Sequence, residues 1–127
     1  MRKAETLQGR GAFSSVVKSG EKLDGRLLRC FFRVEEKAGT PVRAGFSVSS
    51  RVYNAAKRNR IRRLLRTAFD AEAEVLRDAA KPKTLALVFI FRGGGDDDVR
   101  RLRLKDVQTD VAALCRRCAA RIVGSRT

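Results

Sequence analysis

Residues 42–69, VRAGFSVSSRVYNAAKRNRIRRLLRTAF, change periodicity once, and that change decides the fold. Val42–Val52 alternates. Ala44, Phe46 and Val48 fall on one side and Arg43, Gly45, Ser47, Ser49 and Arg51 on the other, the period of a half-buried strand. Asn54 then offers a helix N-cap. Ile61, Leu64, Leu65, Ala68, Phe69, Val75 and Leu76 recur at 3.6-residue spacing, which predicts one long helix from Asn54 to about Arg77. Pro82 bars its continuation.

Upstream, Leu27–Glu36 also alternates, with Leu28, Cys30, Phe32 and Val34 on one face and Arg29, Phe31 and Arg33 on the other. Lys37–Pro41 holds a Gly and a Pro and reads as a turn, so the two alternating runs are expected to pair as an antiparallel hairpin. Gly11–Lys18 reads as a short helix stopped by Gly20, and Glu21–Asp24 as a short extra strand. Residues 1–10 are polar and expected to be partly flexible. Downstream, Thr84–Phe91 is a continuous apolar run, the mark of a strand covered on much of both faces. Gly93–Asp98 is a glycine- and aspartate-rich loop. Asp106–Ile122 is a last helix with Val107, Val111, Leu114, Cys115, Cys118 and Ile122 in register. The order α-β-β-α-β-α predicts an α+β fold: a single-domain α-β sandwich over residues 1–127, with a small mixed sheet packed by helices.

Charge narrows the function. The 127 residues carry 29 Lys+Arg against 14 Asp+Glu, a net charge of +15. From Lys37 to Phe69 there are nine basic residues and no acid, bracketed by Glu36 and Asp70. A solvated surface mixes signs; a one-sign window is the footprint of a nucleic-acid partner. Within it, Lys57–Arg66 holds six basic residues in ten. On a helical wheel Asn59, Arg62, Arg63 and Arg66 share an arc opposite Ile61, Leu64 and Ala68. Like charges at i, i+4 weaken an isolated helix by a few tenths of a kcal/mol per pair, a cost that phosphates relieve.

The two alternating runs offer a second surface. Arg29, Phe31 and Arg33 face the same way, and Gly45, Ser47 and Ser49 lie between Arg43 and Arg51. Arginines can take phosphates, Phe31 a base, and small residues allow close approach of a single strand. Phe31 can equally pack under a helix, and Phe13 shares that ambiguity.

Several chemistries lose their residues. There is no His, hence no Ser-His or Cys-His pair and no histidine metal ligand. The three cysteines, Cys30, Cys115 and Cys118, read as reduced thiols of a cytoplasmic protein, with Cys115 and Cys118 packed along a helix. No apolar run approaches the roughly 20 residues needed to span a bilayer, so no membrane association is expected. The carboxylates Asp96–Asp98 sit in a loop away from the basic helix and read as a solvated turn.

The stretch 43–69 resembles the protein component of bacterial ribonuclease P. Gly45, Val48, Ser49, Arg51, Asn54, Ala55, Arg58, Asn59, Arg60, Arg63 and Arg66 match its pattern as identities or basic-for-basic. Ala12-Phe13-Ser14 with Val17-Lys18-Ser19-Gly20, the Leu85–Arg92 strand and the terminal helix also stand where that family has them. Four positions depart: Ser50 stands for a usual Lys, Tyr53 for Gly, Val17 for an aromatic, and Thr6 for a basic residue. Tyr53 is then a candidate stacking group.

The resemblance implies a left-handed β-α-β crossover through the basic helix. It implies a holoenzyme in which a catalytic RNA subunit, with Mg2+, removes the 5′ leader of precursor tRNA, so that this chain has no catalytic residue and binds no cofactor or metal through its side chains alone. Asn54, Arg58, Asn59, Arg60, Arg62, Arg63 and Arg66 are assigned to the RNA subunit. Phe13, Arg29, Phe31, Ser47, Ser49 and Arg51 are assigned to a cleft for the leader. No DNA partner is expected. The competing reading is a non-catalytic ribosome- or RNA-associated structural protein of the same form; a stand-alone nuclease is a third.

Overall fold

The computed structural model describes residues 5–6, 10–36, 41–49, 53–93 and 101–124. In chain order these form β1 (Glu5–Thr6), α1 (Arg10–Ser19), β2 (Glu21–Asp24), β3 (Leu28–Glu35) and β4 (Val42–Ser47). There follow α2 (Ala55–Asp70), α3 (Ala73–Ala80), β5 (Thr84–Phe91) and α4 (Leu104–Gly124). The fold is mixed α+β, as the sequence predicts. The strand expected at Glu21–Asp24 is present, and Glu5–Thr6, within the segment expected to be partly flexible, pairs with β4.

The sheet runs β1-β4-β5-β3-β2. This corrects the expected hairpin. β3 and β4 do not pair; β5 lies between them, antiparallel to β3 and parallel to β4. The reason lies in β5, whose side chains are buried on both faces from Thr84 to Phe89. A strand that is apolar all round loses most if placed at an edge, and burial there outweighs the short connection between β3 and β4. That connection instead spans the start of β5, where Leu85 N–H donates to the Pro41 carbonyl (2.8 Å) and Thr84 Oγ1 to the Glu35 carbonyl (3.1 Å). The chain returns from β4 to β5 through α2 and α3, a parallel β-α-β unit.

Helices cover both faces. On one, α1 lies over β3 and β5, with Val16, Ala86 and Val88 buried and Ala12, Phe13, Val17, Phe31 and Ile90 against them. On the other, α2, α3 and α4 enclose the main core, which includes Phe32, Ile61, Leu65, Phe69, Leu87, Phe89 and Leu114. Phe46, Phe69 and Phe89 form a ring cluster there, with centroids 5.5–6.0 Å apart.

The single helix expected from Asn54 to Arg77 is two. Glu72 N–H donates to the Phe69 carbonyl (2.8 Å), a tight turn that re-aims the chain. Ala73, Leu76, Ala79 and Ala80 then face the core, and Val75, assigned to the apolar stripe, is 52% exposed. No glycine or proline marks this break.

Two glycines permit close approach. A Cβ on Gly20 would lie 2.5 Å from the Val16 carbonyl oxygen and 2.7 Å from that of Phe32, so only glycine ends α1 against β3. A Cβ on Gly25 would meet Asp110 Oδ1 at 2.6 Å.

Candidate nucleic-acid interface

α2 is built as its sequence predicts. Asn54 caps it, its Oδ1 accepting from Lys57 N–H at 2.9 Å. Ile61, Leu65, Ala68 and Phe69 are buried, and Asn59, Arg62 and Arg63 are exposed on the opposite side. The first turn holds no acid to balance the helix dipole, and Lys57 and Arg58 oppose it.

The remaining arginines of α2 are half-buried and engaged. Arg58 Nη1 donates to the Tyr53 carbonyl (2.7 Å), folding back over the helix start. Arg60 Nη2 donates to the Leu102 carbonyl, tying α2 to the segment that enters α4. The Arg66 guanidinium lies over the Phe46 ring, 5.8 Å from its centroid. Of the residues assigned to the RNA subunit, Asn54, Asn59, Arg62 and Arg63 are exposed, while the half-buried Arg58, Arg60 and Arg66 also hold the helix in place. Tyr53, read as a candidate stacking group, is buried. Its ring packs on Phe91 and its hydroxyl donates to the Gly93 carbonyl (2.7 Å), so it is not available for a base.

On the other side of the sheet the register brings several of the cleft residues together. Arg29, Ile90 and Ser47 form one row across β3, β5 and β4; Phe31, Val88 and Gly45 form the next; Arg33, Ala86 and Arg43 form the third. Adjacent strands lie about 4.8 Å apart, so each row is about 10 Å wide. α1 covers the β3–β5 part, and Phe13 and Phe31, both half-buried, pack against the same cluster of Val16, Ala86 and Val88. Phe31 therefore packs under a helix while keeping part of its ring accessible. Ser49 is exposed beyond β4, and Arg51 lies outside the described residues, as do Ser50 and Asp96–Asp98.

The cations of this face are paired. Glu35 accepts from Arg33 Nη2 (2.7 Å) and Arg43 Nη2 (2.8 Å). Arg33 Nη1 also donates to Ser15 Oγ and Ser19 Oγ, both at 2.6 Å, which pins α1 to β3. Burial pushes the Glu35 carboxyl up, but the hydrogen bonds and charges of Arg33 and Arg43 more than offset it and hold it below the usual glutamate value. Arg29 Nε donates to Asp24 Oδ1 (2.7 Å), which Arg92 also approaches at 3.5 Å.

Sequence reading missed Asp110. This buried carboxylate of α4 accepts the backbone N–H of Arg26 (2.8 Å), Leu27 (3.0 Å) and Leu28 (3.0 Å), clamping the β2–β3 turn. An acid within the buried arc of a helix was the available signal. The three cysteines are free and buried. Burial pushes the Cys118 thiol up to about 12, and those of Cys30 and Cys115 up as well. Among the described residues no three Cys, Asp or Glu side chains converge to hold a metal ion, and no helix is long and apolar enough to cross a membrane.

An α-β sandwich with a basic helix that carries no acid before its last residue defines the class of small basic α+β proteins. Within that class the fold has close counterparts. The ribonuclease P protein of Thermotoga maritima superposes with a TM-score of 0.72 at 25% identity, over 89% of this chain and 96% of that one. The Staphylococcus aureus RNase P protein shares the fold, with a TM-score of 0.68 at 20% identity, over 91% of this chain and 96% of that one. In sequence, the ribonuclease P protein component of Bacillus velezensis is 32% identical over 88 residues, 69% of this chain and 72% of its own length. That of Chlorobaculum tepidum is 32% identical over 105 residues, 74% and 68% of the two chains. The family model for ribonuclease P matches residues 1–119. The chain belongs to the ribonuclease P protein family, components of a tRNA-processing ribonucleoprotein.

Proposed function

We propose that α2 docks this chain on the catalytic RNA subunit of ribonuclease P, and that the sheet face beside α1 holds the single-stranded 5′ leader of precursor tRNA. The observation that carries the reading is the outward face of α2. Arg62 and Arg63 project from a helix with no acid before Asp70. Unscreened like charges on one face are stable when phosphates neutralise them, with release of counterions.

The leader reading rests on the rows across β3, β5 and β4. Phe13 and Phe31 offer partly accessible rings, and Ser47 and Gly45 keep the β4 side low. Stacking accepts any base and contributes roughly 1–3 kcal/mol per base, which suits a factor that meets many leader sequences. Arg29 and Arg51 are assigned to the leader phosphates, Arg29 exchanging its exposed Asp24 contact for one. Because Arg33 and Arg43 are held by Glu35, they shape this face more than they charge it.

In this reading the reaction belongs to the RNA subunit, where bound magnesium would supply an activated water and charge stabilisation for the leaving oxygen. The chain supplies affinity and position, and its place is the cytoplasm, where three free thiols remain reduced. Reconstitution tests the proposal. The chain alone should not cleave precursor tRNA; with its RNA subunit it should, and at lower magnesium than the RNA alone needs. Cleavage by the chain alone, or no effect on the magnesium requirement, would overturn it.

A further inference from the structure

Beside α2 lies a groove of about 630 Å³ between the β2–β3 turn and the first half of α4. Its floor is apolar, with Leu27, Leu102 and Ala113; Arg26, Arg101 and Lys105 line it and are exposed. Three acids also line it, and each is engaged. Asp110 accepts three backbone N–H groups, Asp24 is paired with Arg29 and Arg92, and Asp106 accepts from Arg103 N–H at 2.9 Å. By contrast Arg26, Arg101 and Lys105 form no ion pair among the described residues.

We infer that this groove is a second contact for the RNA subunit, taking an unpaired nucleotide: its base against the apolar floor, its phosphates against Arg26, Arg101 and Lys105. Three exposed cations without an ion pair among the described residues, against acids of which Asp24 is compensated by Arg29 and Arg92 and Asp110 by three backbone N–H groups, favour a polyanion, and an apolar floor beneath cations suits a base beside its phosphate. Continuity selects the RNA subunit as the polyanion. Arg60 of α2 donates to the Leu102 carbonyl, and Leu102 lines the groove, so α2 is tied directly to the groove's edge. α2 and α4 pack against each other, whereas α1 and the leader rows lie across the sheet. The inference rests on the reading of α2 as the RNA-subunit helix.

The test is the affinity of the full chain for its RNA subunit, measured across a salt series. The variant Arg26→Ala/Arg101→Ala/Lys105→Ala is expected to bind roughly tenfold more weakly, with a log–log salt slope shallower by about two. Ala113→Phe fills the floor and keeps the charges, so it should weaken binding with little change in slope. Melting temperatures identify any variant that has lost its fold. Unchanged RNA-subunit affinity in both variants overturns the inference. So does a loss confined to precursor tRNA, which would place the substrate in the groove instead. Arg62→Ala/Arg63→Ala, measured alongside, separates the two claims. If it weakens binding while the groove variants do not, the groove assignment fails and the α2 reading stands. If the groove variants weaken binding and it does not, the α2 reading fails.

Discussion

The outward face of α2 and the sheet face beside α1 are both rich in arginine, yet they use it differently. On α2, Arg62 and Arg63 stand exposed and no acid lies within the helix before its last residue, Asp70. On the sheet face, Arg33 and Arg43 converge on Glu35 and Arg29 on Asp24. The number of cations in a segment does not say how many are available; the positions of the acids do. In the proposed reading the first surface meets phosphate, while on the second the ion pairs hold α1 on the sheet and leave less free charge.

The largest effect that can break this comparison is on stability. Glu35→Ala leaves the Arg33 and Arg43 guanidiniums without their carboxylate, and should lower unfolding free energy by about 1–2 kcal/mol. Urea unfolding at pH 7 checks it; no loss would mean that the pairs are surface decoration. A smaller effect is the acid limb of the stability profile. Glu35 titrates below its ordinary value of 4.5 in the folded chain, so its contribution is complete above that pH and is lost as pH falls through the folded value. Glu35→Gln should flatten the decline of stability below about that pH. An unchanged slope would remove Glu35 from the account.

Smaller still is the effect of removing the α2 cations on folding. Arg62→Ala/Arg63→Ala should leave stability within about 0.5 kcal/mol, because neither residue supports the core. A loss of 2 kcal/mol or more would mean that the ladder holds the fold (roughly the scale of a buried defect). At the end of the scale is an expected null. Cys30, Cys115 and Cys118 are buried with raised thiol pKa values, so iodoacetamide at pH 8 should label none of them until denaturant is added.

Much of this was legible because local pattern and burial agreed. The alternation of Leu28–Val34, the Asn54 cap, the apolar stripe of α2 and the unbroken apolar run of β5 all survive in the folded chain. Strand order was not legible. Alternation gives a strand its faces but not its neighbours, and β5, distant in sequence, displaced the expected hairpin. The break at Ala71–Glu72 was hidden because both residues favour helix and the turn answers to packing on α4. At the site, the helix period placed Arg62 and Arg63 outward. It gave no sign that Arg58 and Arg60 donate to backbone carbonyls, or that Tyr53 is buried beneath the start of α2. Those depend on residues brought together only by the fold.

The claim that opposite sides of one sheet serve two RNAs is tested most directly by a crossed measurement. Arg62→Ala/Arg63→Ala and Ser47→Phe would each be assayed for affinity to the RNA subunit. Each reconstituted holoenzyme would then be assayed for its preference for precursor over mature tRNA. The α2 variant should weaken RNA-subunit binding about tenfold and leave the preference intact. Ser47→Phe, which fills the row that Ser47 shares with Ile90 and Arg29, should leave RNA-subunit binding intact and reduce the preference. If either variant moves both quantities together, the two surfaces do not divide the work, and the account is contradicted.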